Sequence, residues 1–353
     1  MERIRGFDGL RFFSILFVIT FHMGSISLFP DNEYLRRNIF YFFSGGAGVT
    51  MFFAISGFLI TSILLSEKKR KGEIKLKRFF IRRFLRLLPP IIPFYITVAV
   101  FMYLGYIRES YVGLLASMLY LYNFIPIDKK FFTAELTHTW SLAVEEQFYF
   151  TWPFILSFVT LKRIYLIAFI IIISSFVILF SLPYLSFHGH LLNHVFFVER
   201  WIVPAIAPIL IGSLAAVINF NNKEWVSGYF KRKTWFYISL AVLCAPFYLP
   251  DFLFNSCAQI FYSLGASLLL LWVSHNQNSR IVGFLENKVM SYIGKISYGL
   301  YIWQGFFIGD IPKVNPTLIV QALPFNVICT FLVAIVSYEF YEKRVLKLKE
   351  KFS

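Results

Sequence analysis

Long apolar stretches recur from one end of the chain to the other and alternate with short polar segments. A helix of about 20 residues crosses the hydrocarbon core of a bilayer, so windows of that length identify candidate spans. Ten stretches meet this condition, with approximate limits 10–29, 43–65, 79–104, 139–160, 163–183, 199–219, 234–250, 254–273, 289–309 and 317–340. The pattern therefore predicts an all-α protein, a polytopic bundle of transmembrane helices forming one domain over residues 1–353.

An eleventh apolar stretch, 111–126, is shorter, contains Asn123 and ends at Pro126. Lys and Arg should collect on the cytoplasmic side of a membrane protein. With ten spans, both termini and every basic cluster fall on that side, whereas an eleventh span breaks the agreement after residue 126. The clusters are Arg3 to Arg11, Lys68 to Arg86, Lys162 with Arg163, Lys231 to Lys233, Arg280 to Lys288 and Lys343 to Lys351. Segment 111–126 is therefore predicted to be re-entrant or interfacial.

Composition supports the bilayer as the solvent of this chain. Of 353 residues, 58% are hydrophobic and 15% are charged, which leaves too few polar side chains to cover a soluble domain. The formal net charge is +15, but Lys and Arg lie between the apolar stretches rather than on a polar domain. They are interpreted as topology signals beside membrane lipid, and nucleic acid is not expected as a partner.

Ionisable side chains within the first span indicate a functional groove, because such groups are costly in a membrane. Asp8, Arg11 and His22 belong to this span. Arg11 and His22 are eleven residues apart, so on a helix they lie within ~20° of one face and about 16 Å apart along the axis. Asp8 lies roughly 40° to the other side. All three are predicted to point into one groove.

Glu145 and Glu146 lie about two turns into the span 139–160, at a depth comparable to that of His22. An imidazole beside a carboxylate can accept the proton of an attacking hydroxyl, which is what acyl transfer needs. The two carboxylates are about 100° apart on a helix, so only one can face His22 squarely. Glu145 is the preferred partner. The alternative is a structural His–Glu pair that joins two helices.

Four arginines precede the third span. Arg78, Arg82 and Arg86 recur every fourth residue and form one stripe on a helix, with Arg83 beside it. Arginine binds phosphate groups bidentately, so the stripe suits the phosphates of a cytoplasmic acyl-CoA. On charge alone, an anchor for anionic lipid explains it better.

A histidine cluster, His188, His190 and His194, has the spacing H-x-H-x3-H in a segment expected to face outward. Apart from Glu199, no carboxylate or cysteine accompanies it. A solvated or interfacial loop is the favoured interpretation, and no metal site is predicted.

Five motifs, in order along the chain, resemble the acyltransferase 3 family of membrane proteins, whose members O-acetylate O-antigen, exopolysaccharide, Nod factor, peptidoglycan and macrolides. The first is Phe7 to Arg11 followed by His22, similar to the family's Arg-x10-His signature. The others are Gly48 to Ile60, Arg82 to Arg86 with Pro89, Trp140 to Tyr149, and Ser297 to Trp303.

The resemblance implies a membrane O-acyltransferase that takes an acetyl or other short acyl group from cytoplasmic acyl-CoA. His22 would be the essential catalytic group, as general base or acyl carrier, with Glu145, Arg11 and Asp8. The acceptor would be a hydroxyl of a cell-surface carbohydrate or lipid-linked glycan, reached from the other side. No permanently bound cofactor is expected, and the location implied is a bacterial cytoplasmic (inner) membrane. The motifs assign donor binding to Arg78, Arg82, Arg83 and Arg86, and substrate binding to Trp140, Ser141, Glu146, Tyr149, Ser297, Tyr298 and Tyr301.

The sequence departs from the family pattern at two positions. Thr50 stands where the family usually has Asp, and Gln304 where it often has His, so roles at those positions do not carry over. Larger members carry an additional soluble esterase-like domain, which is not expected in this chain.

A transporter or flippase of a lipid-linked glycan is the alternative function, with the buried charges forming a substrate path. Such a protein would show two pseudo-symmetric halves. The motifs instead cluster in residues 7–150, with one near residue 297, which favours the enzyme.

Overall fold

The computed structural model describes residues 3–24, 44–107, 110–126, 128, 131, 133–187, 197–309 and 319–348. It is all-helical, with 84% of residues in helix, and the described ranges contain no β-strand. The all-α prediction is therefore confirmed.

The α-helices follow the predicted apolar stretches closely. In chain order they are α1 (Phe7–Gly24), α2 (Gly45–Lys71), α3 (Leu76–Tyr103), α4 (Tyr111–Met118), α5 (Thr139–Phe158), α6 (Leu161–Phe187), α7 (Ile202–Ala205), α8 (Ala207–Asn221), α9 (Lys223–Phe230), α10 (Thr234–Cys244), α11 (Asp251–His275), α12 (Arg280–Leu285), α13 (Lys288–Phe307), α14 (Phe325–Val336) and α15 (Lys343–Leu348). Short 3₁₀ segments cover Tyr122–Phe124, Ala134–Leu136, Val198–Arg200, Ala245–Tyr248 and Ile319–Gln321, and a π-helical segment, Ser337–Glu342, joins α14 to α15.

Five helical stretches of the described chain are long and apolar enough to cross a bilayer, which makes this an integral membrane protein. They are Gly45–Lys71, Leu76–Tyr103, Leu161–Leu182, Cys257–His275 and Phe325–Leu348. The number of ten spans and the N-in, C-in orientation stay predictions. In segment 111–126, α4 has 8 residues and is about 12 Å long, too short to cross the bilayer as a helix. Its re-entrant or interfacial placement also stays a prediction.

Helices α2 and α8 touch through their backbones. A Cβ atom on Gly57 would lie 2.0 Å from the carbonyl oxygen of Ile209, and one on Gly212 would lie 2.1 Å from that of Ala54. Small residues permit such close approach, and within a membrane this packing replaces the hydrophobic effect as the force between helices. The two helices therefore form a tight central pair, and the functional cavity lies against another face of α2.

We expect Gly57→Ala to destabilise the protein by about 1–3 kcal/mol, because the new methyl group would force the α2 and α8 backbones apart. Thermal unfolding of the protein in detergent measures the effect. Gly228→Ala is the matched control, since nothing lies within 4 Å of the added Cβ at that position. Equal unfolding temperatures for the two variants would contradict the assigned packing.

Three basic segments meet at one end of the bundle. Arg3 forms an ion pair with Glu286 at 2.7 Å, and the backbone N–H of Gly6 donates to the same carboxylate at 2.8 Å. The indole of Trp272 donates to the carbonyl of Arg232 at 3.2 Å. The N-terminal segment, the α9–α10 connection and the region around α12 thus share one side, as the cytoplasmic assignment of their Lys and Arg residues requires.

Three prolines, Pro89, Pro90 and Pro93, lie inside α3. Proline has no N–H, so the carbonyls four residues earlier, those of Leu85, Arg86 and Pro89, lack the regular α-helical hydrogen bond. The interruption comes directly after the predicted arginine stripe. It separates the basic first half of α3 from its apolar second half.

Candidate active site

A cavity of about 120 Å³ lies between α1, α2, α3, α5 and α13. Apolar side chains from α2 form much of its wall, including Phe52, Leu59 and Ile63. Its polar lining combines cations, one carboxylate and hydroxyl groups: Arg11, Ser56, Arg83, Arg86, Ser141, Glu145, Tyr149, Ser297, Tyr298 and Tyr301. Most of the residues singled out from the sequence therefore come together in one place.

Arg83 is the best-anchored cation of the cavity. Its guanidinium donates to Glu146 at 2.7 and 3.3 Å and lies 3.8 Å from Glu145. It also covers the ring of Tyr149, with 3.4 Å between the guanidinium carbon and the ring centroid. Only 11% of the side chain is exposed. In this low-dielectric setting the carboxylates and the ring compensate the buried charge.

Glu145 is the carboxylate that faces the cavity. The hydroxyls of Ser56 and Tyr149 both donate to its Oε1. The first donor comes from α2 and the second lies one turn further along α5, so the carboxylate is fixed in one orientation. Glu146, the next residue, binds Arg83 at 2.7 Å and does not line the cavity.

Arg11 enters the cavity from α1, and Asp8 holds it. Arg11 lies 3.3 Å from Asp8, which also accepts a hydrogen bond from Arg3 at 2.8 Å. That hydrogen bond raises the pKa of the Arg3 guanidinium. Asp8 itself is not part of the lining. The prediction that Asp8, Arg11 and His22 point into one groove is therefore met by Arg11 alone. Asp8 lies behind Arg11 and binds it.

The four predicted donor-binding arginines separate into two groups. Arg83 and Arg86 line the cavity, since residues three apart share one face of a helix. Arg82 lies 3.6 Å from the buried Glu67 of α2, and Arg78 is outside the lining. Within the described chain Arg86 forms no ion pair, so Arg11, Arg83 and Arg86 give the cavity an excess of positive charge over the carboxylate of Glu145.

A hydroxyl cluster lines another part of the cavity. The hydroxyl oxygens of Ser141 and Tyr301 are 2.5 Å apart, and both hydroxyls lie within hydrogen-bond distance of the carbonyl of His138, at 3.0 and 3.1 Å. Ser297 and Tyr298 complete the group. Five of the seven predicted substrate-binding residues therefore face the cavity, counting Tyr149.

Trp140 and Glu146, the other two, lie behind the cavity wall. The ring of Trp140 packs against Phe53, with 6.3 Å between centroids, and the guanidinium of Arg200 lies 5.5 Å from it. Glu146 is engaged by Arg83. Neither side chain lines the cavity, because each points to a neighbouring helix or loop.

His22 lies on α1, eleven residues beyond Arg11, and outside the cavity lining. Its Nδ1 is 2.7 Å from the carbonyl oxygen of Val18, and its ring packs edge-to-face on Phe21. The expected contact between His22 and Glu145 is not formed. The side chain of Glu145 points to α2, α3 and its own helix instead of α1, because its hydrogen-bond donors come from there.

Ser56 is the site residue that the sequence reasoning missed. It is a hydroxyl inside the long apolar stretch of α2, and it belongs to the motif Gly48 to Ile60. A polar side chain at mid-span is itself the signal that could have found it. Of the two departures from the family pattern, Thr50 is buried and Gln304 is fully buried. His188, His190 and His194 lie outside the described residues.

A family model described as an acyltransferase domain matches residues 4–342. The chain belongs to the acyltransferase 3 family. This confirms the resemblance inferred from the five motifs, and it supports an acyltransferase over the alternative of a transporter.

Relatives of this acyltransferase include O-acetyltransferases of Staphylococcus aureus. It is 30% identical over 363 residues to "Putative O-acetyltransferase SACOL0978" of strain COL. It is 28% identical over 372 residues to "O-acetyltransferase OatA" of strain NCTC 8325. Each match covers 97% of this chain and 57% of the relative, so the acyltransferase spans little more than half the length of these proteins. No solved structure matches it.

Proposed function

We propose that this acyltransferase moves an acetyl group from cytoplasmic acetyl-CoA to a hydroxyl of a cell-surface carbohydrate or lipid-linked glycan. The observation that carries the proposal is the convergence of Arg11, Arg83 and Arg86 on one cavity that also holds a carboxylate and a row of hydroxyls. Acetyl as the transferred group rests on the relatives, which are named as O-acetyltransferases.

The cationic part of the cavity suits the phosphates of the donor. Guanidinium groups bind phosphate oxygens in pairs of parallel hydrogen bonds. Arg86 is exposed and forms no ion pair among the described residues, so it is available to a ligand without breaking an existing contact. Arg83 is held by Glu146 and supplies positive potential rather than a mobile side chain. The donor enters from the basic end of the bundle, which we assign to the cytoplasm.

The hydroxyl cluster suits the acceptor. Ser141, Ser297, Tyr298 and Tyr301 offer donors and acceptors of hydrogen bonds, and the tyrosine rings offer flat apolar faces. A sugar has the same mixture of hydroxyl groups and apolar C–H faces. We assign this part of the lining to the carbohydrate, with the carbonyl of His138 fixing the hydroxyls of Ser141 and Tyr301.

His22 provides the base in this proposal. A carbonyl oxygen only accepts hydrogen bonds, so the contact of Nδ1 with Val18 requires the proton on Nδ1 and leaves Nε2 as the basic nitrogen. Nε2 takes the proton of the acceptor hydroxyl, the oxygen attacks the thioester carbonyl, and CoA leaves as the thiolate. In a two-step route, Nε2 itself is first acetylated and then transfers the group.

Glu145, Asp8 and Arg11 prepare the site for that reaction. Glu145 holds the hydroxyls of Ser56 and Tyr149 in the cavity wall, and Asp8 holds Arg11. His22 lies about 16 Å along α1 from Arg11. The extended pantetheine arm of CoA bridges this distance when its phosphates occupy the arginines.

We expect Arg86→Ala to weaken acetyl-CoA binding about tenfold, because a hydrogen bond to a charged group is worth about 1.5 kcal/mol or more. Equilibrium binding of labelled acetyl-CoA to the detergent-solubilised protein measures the dissociation constant. Arg86→Lys should recover binding only in part, since an ammonium group cannot form the bidentate contact.

Arg70→Ala is the control for the loss of one positive charge. Arg70 is an exposed cation at the end of α2, and it does not line the cavity. If Arg86→Ala and Arg70→Ala bind acetyl-CoA equally well, Arg86 does not contact the donor and the assignment of the cavity fails.

A further inference from the structure

A second cavity, larger and almost wholly apolar, lies on the opposite side of α1 and α2 from the candidate active site. We call it the apolar cavity. Its volume is about 550 Å³, and its walls come from α1, α2, the α10 region, α11 and α12. None of its lining residues is charged. Leu10, Phe13 and Phe17 contribute from α1, whereas Arg11 on the same helix faces the other cavity.

The apolar cavity extends along α1 and α10. On α1 its lining runs from Leu10 to Phe17 and on α10 from Phe236 to Cys244, which correspond to about 10 and 12 Å of helix axis. Its end near Leu10 and Phe236 lies at the basic end of the bundle. A molecule that enters from this end would lie with its apolar part along these helices.

Because the walls of the apolar cavity are apolar, we expect hydrocarbon to occupy it. Water occupies a protein cavity only where two to four polar groups can bind it, and this lining lacks them. Leaving the volume empty would forgo dispersion contacts along every wall. A protein cavity of about 150 Å³ holds one benzene molecule, so 550 Å³ corresponds to roughly 20 carbon atoms. That is the size of one lipid chain.

Three cations are close in sequence to lining residues at the basic end of the apolar cavity. Lys233 comes three residues before Phe236, Arg280 directly precedes Ile281, and Lys288 follows Leu285 by three residues. All three are exposed. In the described part of the chain they form no ion pairs, since the nearby Glu286 is taken by Arg3 and by the N–H of Gly6. An anionic lipid headgroup at the membrane surface would neutralise the positive charge of these three side chains.

We propose that the apolar cavity is a binding site for one anionic glycerophospholipid, with a hydrocarbon chain inside the cavity and the headgroup phosphate at Lys233, Arg280 and Lys288. The bound hydrocarbon chain packs against the faces of α1 and α2 that point away from the candidate active site. These two helices carry Arg11 and Ser56. The site is separate from the proposed acyl transfer and does not depend on it.

The test is native mass spectrometry of the full chain after delipidation in detergent and addition of dioleoyl phosphatidylglycerol or dioleoyl phosphatidylcholine at equal concentration. We expect one retained phosphatidylglycerol per protein and at least tenfold lower occupancy by phosphatidylcholine. Leu240→Trp fills the cavity and should lower phosphatidylglycerol occupancy at least tenfold. Ile238→Trp is the matched control, because Ile238 lies on the same helix, is 36% exposed and does not line the cavity.

A second measurement needs no substitution in the cavity wall. Cys244 is exposed and lines the cavity, so in a Cys257→Ser, Cys329→Ser background it reports on occupancy. Phosphatidylglycerol should slow its reaction with a maleimide at least fivefold, and phosphatidylcholine should not.

Three results would overturn the proposal. They are equal retention of the two lipids, unchanged phosphatidylglycerol occupancy in a folded Leu240→Trp variant, and a co-purifying polyprenyl lipid that phosphatidylglycerol does not displace. The last would assign the cavity to the lipid tail of a glycan carrier.

Discussion

We expect His22→Ala to lower acyl transfer by 10² to 10⁴-fold while the protein stays folded and inserted, because general-base assistance is worth about that much. The structure adds a specific reason. The Nδ1 contact with Val18 fixes the ring of His22 and its tautomer, and alanine provides no basic nitrogen at this position of α1. The measurement is release of CoA from acetyl-CoA in membranes with matched expression of each variant.

His275→Ala controls for the loss of an imidazole elsewhere in the bundle. His275 lies at the end of α11 and binds Asn219 at 2.7 Å, outside the candidate site. Its replacement should leave CoA release near the wild-type rate. Activity in His22→Ala within a few-fold of that control would remove the catalytic role of His22. Labelled acetyl-CoA added without acceptor separates the two routes, since only the two-step route leaves label on His22.

Arg83→Ala should destabilise the protein by about 3–5 kcal/mol and abolish transfer as well. The substitution leaves the carboxylate of Glu146 buried without its partner, and an unpaired buried charge is far more costly than the pair itself. The double variant Arg83→Ala, Glu146→Ala should therefore be more stable than Arg83→Ala alone. Thermal unfolding in detergent gives the stabilities. Transfer stays low in both variants, because the cavity has lost one of its cations.

The exposed pair Lys343–Glu339, 3.0 Å apart, is the control for the Arg83 prediction. Exposed ion pairs contribute about 0–1 kcal/mol, so Lys343→Ala should barely change stability. A loss from Arg83→Ala as small as that from Lys343→Ala would show that the Arg83–Glu146 pair is solvated. The same conclusion would follow if the double variant were no more stable than the single one.

Relations within one helix were predictable from the sequence. The 3.6-residue period places Asp8 next to Arg11 and separates Glu145 from Glu146, and the structure shows both. Hydrophobicity located the helices for the same reason, since each apolar stretch must satisfy its backbone hydrogen bonds internally. These inferences depend only on local geometry, which one sequence contains.

Relations between helices were not predictable in the same way. The comparable depth of His22 and Glu145 along their helices predicted a contact between them. A contact also requires that α1 and α5 are rotated so that these two side chains face each other. Packing sets that rotation, and Ser56 and Arg83, not His22, occupy the space around Glu145. Residues 199–219 are likewise divided between α7 and α8, and the stretch 317–340 includes a π-helical segment that hydrophobicity does not reveal.

The three prolines of α3 make this helix easier to bend beside the candidate active site. The carbonyls of Leu85, Arg86 and Pro89 lack the regular α-helical donor four residues on, so bending there breaks fewer backbone hydrogen bonds than elsewhere in the helix. The segment before the three prolines carries Arg83 and Arg86, and the segment after them packs in the core through Phe94 and Val98. We therefore expect that the segment that carries Arg83 and Arg86 can tilt relative to the second half of α3 at a low cost in helical hydrogen bonds.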